Sequence, residues 1–107
     1  MKLYMLKACD TCRKAMKELQ SAGHSITTTD VRDDGISQQD LERFLHAFGD
    51  DLLNKRSKTW RDLDEDQRAL VPLALLQAHP LVMKRPVIDD GTLYLGWGND
   101  VQAKLIG

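Results

Sequence analysis

The alternation of apolar and polar positions divides the first third of the chain into three predicted elements. Residues 2–6, KLYML, form a short apolar run typical of a buried strand, and the β-branched residues of 25–31, SITTTDV, predict a second strand. The intervening segment, 10–23, has helical periodicity and Gly23 at its C-cap; its apolar face consists of Ala15, Met16, Leu19 and Ala22. This strand–helix–strand order favours a parallel pair joined by a right-handed crossover.

A helical pattern continues through the middle of the chain. Ser37 is placed to cap a helix over residues 38–48 that ends at Gly49; its apolar stripe consists of Leu41, Phe44, Leu45 and Phe48. Two shorter helices are predicted over residues 64–70 and 72–78.

The end of the chain predicts a β-hairpin followed by a helix. Residues 85–89 and 92–96 pair around a turn at Asp90–Gly91, and Asn99 is the expected N-cap of the last helix. The whole order is βαβ, then helices, then ββα. That order predicts an α/β protein with a thioredoxin fold and an inserted helical subdomain.

The length and charge of the chain limit its organisation and partners. Its 107 residues allow one domain, with a thioredoxin-like core over about 1–34 and 84–107 and a helical insert over about 35–83. A net charge of −1 argues against direct binding to nucleic acid. No apolar run approaches the roughly 20 residues that cross a bilayer, and no signal peptide is evident, so no membrane contact and a cytoplasmic location are expected.

Two cysteines, the only ones in the chain, lie at the predicted junction of the first strand and the first helix. A Cys9 thiolate there would accept hydrogen bonds from the first amides of the helix, which lowers the thiol pKa. Lys7, Arg13 and Lys14 add positive charge, while Asp10 opposes it. The spacing of three residues lets Cys12 reach Cys9 and resolve a mixed disulfide, so the pair is a candidate redox couple.

Two further roles for the cysteine pair compete with redox chemistry. Zinc requires four ligands, and the histidines are scattered with no second paired motif, so no metal site is expected. The thiols could also be small buried side chains without chemistry. A close pair in a cytoplasmic protein is seldom a structural disulfide, and a CxxC between a first strand and a first helix is typical of a redox motif.

Four ordered motifs resemble the arsenate reductase (ArsC)-like family, most closely its Spx and YffB branch. They are CDTCRKA, LLNKRSKTWRDL, HPLVMKRPVI and LGWGND, and they extend over nearly the whole chain. The resemblance implies a thioredoxin fold with an inserted helical subdomain. It also implies that Cys9 is the nucleophile and that Pro86 is a cis-proline beside it.

The sequence departs from the arsenate-reducing branch of this family at several positions. That branch has a serine in place of Cys12, and three arginines hold its oxyanion. Arg85 matches one of these arginines; Asn54 stands in the place of another, although Arg56 is two residues away and could substitute. The third arginine has no counterpart. Because a tetrahedral oxyanion requires several convergent donors, arsenate reduction is the weaker alternative.

The resemblance therefore implies a thiol–disulfide oxidoreductase that uses glutathione as co-substrate, with no bound cofactor. Cys9 is the expected nucleophile and Cys12 the resolving thiol. The expected glutathione-binding residues are Arg13, Arg56, Arg85 and Pro86. A further alternative is a redox-sensing regulator of the Spx type that binds RNA polymerase. Gly49 lies where that branch makes its polymerase contact, although a glycine there also ends a helix.

Overall fold

The computed structural model describes residues 1–107, and their contacts divide them into two compact units. The first unit consists of Met1–Asp34 and Arg85–Gly107, and the second of Gly35–Lys84. In chain order the elements are β1 Lys2–Met5, α1 Asp10–Ser21, β2 Thr27–Asp30, α2 Gln38–Phe48, a 3₁₀ helix Gly49–Leu52, α3 Lys58–Arg61, α4 Glu65–Arg68, α5 Pro72–Ala78, a 3₁₀ helix Pro80–Val82, β3 Val87–Asp89, β4 Leu93–Leu95 and α6 Asn99–Ile106.

The first unit contains a four-stranded mixed sheet with the strand order β2-β1-β3-β4. β1 and β2 are parallel, with Met5 opposite Asp30 at their carboxyl ends. β3 is antiparallel to both β1 and β4. The parallel βαβ unit and the β3–β4 hairpin confirm the predicted thioredoxin fold, although β2 is shorter than the predicted strand 25–31.

A single apolar cluster holds α1 and α6 against the sheet. Its buried members come from β1, α1, β3, α6 and the turn before α6: Leu3, Met5, Cys12, Ala15, Leu19, Ile88, Trp97, Val101 and Leu105. Cys12 is therefore part of the core. Burial of this side chain has direct consequences for its acidity, because a low-dielectric environment disfavours the thiolate.

The C-terminus of α1 differs from the prediction by one position. Ala22 is the C-cap, and Gly23 follows it with a positive φ of 97°. The N–H of Gly23 donates to the carbonyl of Gln20, and the N–H of His24 donates to that of Leu19. This is a Schellman ending, in which glycine occupies the left-handed position after the cap.

The N-terminus of α6 corrects another prediction. Asn99 is the first helical residue and not the cap; Gly98 occupies the cap position and makes no side-chain hydrogen bond. A Cβ on Gly98 would lie 2.9 Å from Oδ1 of Asp100, which disfavours a side chain there. The helix therefore starts one residue earlier than the preference of asparagine for caps predicted.

The second unit is helical, as expected for the insert. Ser37 caps α2 by accepting a hydrogen bond from the Asp40 N–H at 3.1 Å, which confirms the predicted start. α4 is shorter than the predicted helix 64–70, and α3 was not predicted; Ser57 caps it by accepting from Trp60 N–H. None of the helices combines the length and apolar character required to span a membrane.

Candidate active site at the start of the first helix

Cys9 is the N-cap of α1, with an extended backbone at φ −83° and ψ 116°. Its Sγ accepts a hydrogen bond from the N–H of Cys12 at a donor–acceptor distance of 3.4 Å. The N–H of Cys9 donates to the Leu6 carbonyl at 2.9 Å, which closes the turn between β1 and α1. This local arrangement directs an unsatisfied helix amide at the sulfur, as the sequence predicted.

The pKa of the Cys9 thiol is lowered from its ordinary value. Partial burial raises it, but hydrogen bonds from the side chain and the backbone N–H of Cys12 outweigh that effect, and the charge and hydrogen bonding of Arg85 add to the lowering. Cys9 is also only partly buried. An exposed thiol with a lowered pKa has the properties of a nucleophile.

Cys12 has the opposite environment. It lies in the core with none of its surface exposed. Burial, followed by hydrogen bonding to Cys9 and the charge there, raises its pKa to about 12, while the Leu6 backbone and Arg85 oppose the shift. At neutral pH Cys12 is thus a neutral thiol whose S–H is available to donate towards Cys9.

Arg85 and Pro86 immediately precede β3. The Arg85–Pro86 peptide bond is cis, which confirms the prediction for this bond. Pro86 is buried, and its carbonyl accepts a hydrogen bond from the N–H of Gly96 at 2.8 Å. Arg85 is partly exposed, with its Nε atom buried, and its guanidinium interacts electrostatically with both cysteines.

The other two predicted arginines occupy different positions. Arg13 is in the first turn of α1, is exposed and forms an ion pair with Asp10. Arg56 belongs to the helical unit, where it is exposed and its N–H donates to Oδ1 of Asn54 at 3.1 Å. The structure therefore brings Arg85 to the two cysteines and pairs Arg13 with a neighbouring carboxylate.

Asp30 is a buried carboxylate that was not among the site residues predicted from sequence. Only 5% of its surface is exposed, and it is the last residue of β2. Its carboxylate accepts backbone hydrogen bonds from Lys7, Arg32 and Asp33 at 3.0, 2.8 and 2.9 Å. The hydrogen bond from Asp33 and the others outweigh burial, so the pKa of Asp30 is lowered from its ordinary value. An aspartate ending a predicted strand in TTTDV was the only available signal.

No group of three or more His, Cys, Asp or Glu side chains is arranged to hold a metal ion.

Comparisons with known proteins relate this site to one family. The ArsC family matches residues 4–104. An uncharacterized protein of Haemophilus influenzae is 38% identical over 101 residues, covering 89% of each chain. Global transcriptional regulator Spx 1 of Lactococcus lactis is 29% identical over 105 residues, covering 92% of this chain and 82% of its own. The solved structure of a protein called YffB has a TM-score of 0.89 and 32% identity, covering 99% and 98% of the two chains. The chain thus belongs to the ArsC family, whose members share an arsenate reductase or thiol oxidoreductase fold.

Proposed function

We propose that the protein is a glutathione-dependent thiol–disulfide oxidoreductase with Cys9 as its nucleophile. The observation that supports this proposal best is the opposite acidity of the two thiols. Cys9 has a lowered pKa and is accessible, whereas Cys12 is buried with a pKa of about 12. This combination favours ionisation at Cys9 and keeps Cys12 as a neutral hydrogen-bond donor.

The proposed reaction consists of two thiol–disulfide exchanges. The Cys9 thiolate attacks the glutathione sulfur of a mixed disulfide RS–SG; the Cys9–SG bond forms as the RS–SG bond breaks, and the released thiolate takes a proton from solvent. A second glutathione thiolate attacks the sulfur of the glutathione bound to Cys9, which releases oxidised glutathione and regenerates the Cys9 thiolate. In sum, RSSG and GSH become RSH and GSSG.

Cys12 has a supporting part in this scheme. Attack on the mixed disulfide by Cys12 requires its thiolate, and the burial of this side chain disfavours ionisation. Free glutathione is therefore the faster second nucleophile. Cys12 mainly stabilises the Cys9 thiolate by donating from its S–H and N–H groups, and it acts as resolving thiol when glutathione is depleted.

Glutathione itself would be held by the groups around Cys9. Arg85 is the strongest candidate for a carboxylate of the tripeptide, because a guanidinium binds a carboxylate with two hydrogen bonds. The backbone beside Pro86, in the segment that precedes β3, could pair with the peptide backbone of glutathione. Arg13 is a further candidate, although it is partly neutralised by Asp10. Arg56, in the helical unit, is a candidate from the family resemblance alone. No bound cofactor is needed, and this dependence on glutathione fits a cytoplasmic location.

Steady-state kinetics with glutathione and a model disulfide would test the proposal. We expect Cys9→Ser to abolish turnover and Cys12→Ser to retain part of it. Arg85→Ala should raise the KM for glutathione more than it lowers kcat, because a carboxylate clamp provides mostly uniform binding. Measurement at about pH 9 reduces the contribution from altered Cys9 ionisation, and Arg85→Lys is the matched control that keeps the charge. Turnover of arsenate in preference to the disulfide would favour the arsenate reductase alternative.

A second candidate is a redox-sensing regulator that binds RNA polymerase. The similarity to global transcriptional regulator Spx 1 favours it, because the proteins are 29% identical over most of both chains. In that case a Cys9–Cys12 disulfide would be the switch. If the wild-type protein fails to turn over glutathione but retains purified RNA polymerase in one redox state only, the regulator replaces the enzyme.

A further inference from the structure

We propose that Asp30 is a positioning residue for Cys9, and that its carboxylate fixes the turn from which the nucleophile projects. The proposal rests on Cys9 as the nucleophile, but it does not depend on glutathione as the reductant. Asp30 contacts neither the sulfur nor any group that would touch a substrate in the proposed reaction. Its effect would be transmitted through the backbone between Lys7 and Cys9.

The carboxylate of Asp30 connects the ends of two parallel strands. Asp30 is paired with Met5, so it lies beside the point where the chain leaves β1. One oxygen, Oδ2, accepts the N–H of Lys7 at 3.0 Å in the turn that leads to Cys9. The other oxygen, Oδ1, accepts the N–H groups of Arg32 and Asp33 in the turn that follows β2.

Both turns have additional hydrogen bonds that limit their movement. The N–H of Val31 donates to the Met5 carbonyl at 2.8 Å, and the N–H of Asp30 donates to Oδ2 of Asp34 at 2.9 Å. On the Cys9 side, the N–H of Cys9 donates to the Leu6 carbonyl at 2.9 Å. The segment from Leu6 to Cys9 is therefore held at two points, of which the Lys7 N–H depends on Asp30.

This geometry requires a carboxylate and not an amide. All three groups that face its oxygens are N–H donors, and a carboxylate has only acceptors. An asparagine could keep its oxygen on Arg32 and Asp33, but its NH₂ group would then meet the N–H of Lys7, and two donors cannot bond. Asp30→Asn thus removes the hydrogen bond to the Cys9 turn and leaves the other turn intact.

Burial explains why this single bond matters. Only 5% of Asp30 is exposed, and its hydrogen bond from the Lys7 N–H is partly buried, so water replaces this acceptor less readily than it would at an open surface. Without this hydrogen bond the turn from Lys7 to Cys9 is less restrained. Cys9 can then move away from the cap position, where the N–H of Cys12 donates to its sulfur. The Cys9 thiolate then loses part of its stabilisation.

The test is the pH dependence of iodoacetamide alkylation at Cys9, followed by mass spectrometry. We expect Asp30→Asn to lower the rate at pH 7 at least about threefold and to raise the apparent pKa of Cys9 by at least about half a unit, because the rate follows the thiolate fraction. Asp33→Asn is the matched control. It removes the same charge from the same turn, but its side chain contacts only the Lys7 Nζ, at 3.3 Å. Its alkylation profile should match that of the wild type.

Two results would overturn the proposal. One is an Asp30→Asn protein that is folded, even with a lower melting temperature, and has an unchanged alkylation profile; Asp30 would then serve stability alone. The second result comes from the wild-type protein and tests the proposal even if the Asp30→Asn variant does not fold. Amide exchange on the wild type should show the Lys7 N–H protected to a degree similar to the β1 amides, and exchange as fast as an exposed loop would contradict the proposed restraint. Neither readout depends on glutathione turnover, so loss of the proposed enzyme activity would leave this test intact.

Discussion

At the scale of single residues, two thiols three positions apart differ in acidity because only one faces the end of a helix. Cys9 is the N-cap and receives a backbone hydrogen bond from Cys12, whereas the side chain of Cys12 enters the core. Burial raises the pKa of each thiol, but at Cys9 the donors from Cys12 and Arg85 outweigh it. The proposed roles of nucleophile and supporting donor therefore rest on the different environments of the two thiols.

The first prediction at this scale is the order in which the two thiols react. Under reducing conditions iodoacetamide should modify Cys9 first, with a midpoint below the ordinary value of 9.0, because its pKa is lowered. Cys12 should remain unmodified in the folded protein over the same range, since its pKa is about 12 and its surface is fully buried. Peptide mass spectrometry after timed alkylation measures both rates. Faster modification of Cys12 would reverse the assigned roles.

The second prediction separates the two donors that Cys12 provides. Cys12→Ala removes the side-chain donor and keeps the backbone N–H, so the pKa of Cys9 should rise. Cys12→Ser has a hydroxyl that can still donate, so the rise should be smaller. The Cys9 alkylation profile of the two variants measures the difference. Profiles of both variants that match the wild type would show that the backbone N–H alone stabilises the thiolate.

At the scale of elements, the helix ends are specified by short-range hydrogen bonds. α1 begins with Cys9 as its cap and ends in a Schellman motif at Gly23, while α2 begins with the Ser37 side chain on the Asp40 N–H. Each contact lies within a few residues along the chain. Such helix ends can therefore be predicted from the local sequence.

The third prediction concerns the cap of α2. Ser37→Ala leaves the N–H of Asp40 without its side-chain acceptor, and it should lower the free energy of unfolding by about 1 kcal/mol. Urea denaturation of the purified protein measures this change. Ser25→Ala is the control, because Ser25 is exposed and caps no helix. An equal loss in both variants would show that the hydroxyl of Ser37 contributes nothing specific.

At the scale of the whole molecule, the Cys9–Cys12 motif is continuous with the hydrophobic core. Cys12 packs in the same cluster as Ala15 and Leu19 of α1, and this cluster extends to β1, β3 and α6. The stability of the fold is therefore linked to the protonation of one of the motif's own thiols.

The fourth prediction follows from this link. The folded chain holds Cys12 at a pKa of about 12, against an ordinary value of 9.0. Between these pH values the unfolded chain loses the proton and the folded chain keeps it, so the free energy of unfolding falls as the pH rises. With reductant present, the stability advantage of the wild type over Cys12→Ala should therefore shrink as the pH rises from about 8 to about 11.

Urea denaturation across that pH range measures the advantage. Ala15→Gly is the control, because it weakens the same buried face of α1 without removing a titratable group. Its difference from the wild type should stay constant with pH. A constant difference for Cys12→Ala as well would contradict a thiol that is held protonated by the fold.

The local sequence determined the features that depend on neighbouring residues. The βαβ and ββα order, the start of α2 at Ser37, the hairpin around Asp90–Gly91 and the place of Cys9 at a helix start were all predicted, because caps, turns and periodicity act over a few residues. The same reasoning failed at Asn99, where Gly98 takes the cap. It also missed α3, whose four residues are too few to show helical periodicity.

Only the tertiary structure decided the chemistry of the site. The lowered pKa of Cys9 was predicted in part from its place at the helix start, but the raised pKa of Cys12 depends on burial. The contribution of Arg85 comes from more than 70 residues away along the chain. The burial of Asp30 and its bond to Lys7 depend on the parallel pairing of β1 and β2. Solvation and electrostatic interactions follow distance in space, so no pattern of neighbouring residues could encode them; they exist only once the strands are paired and the core is closed.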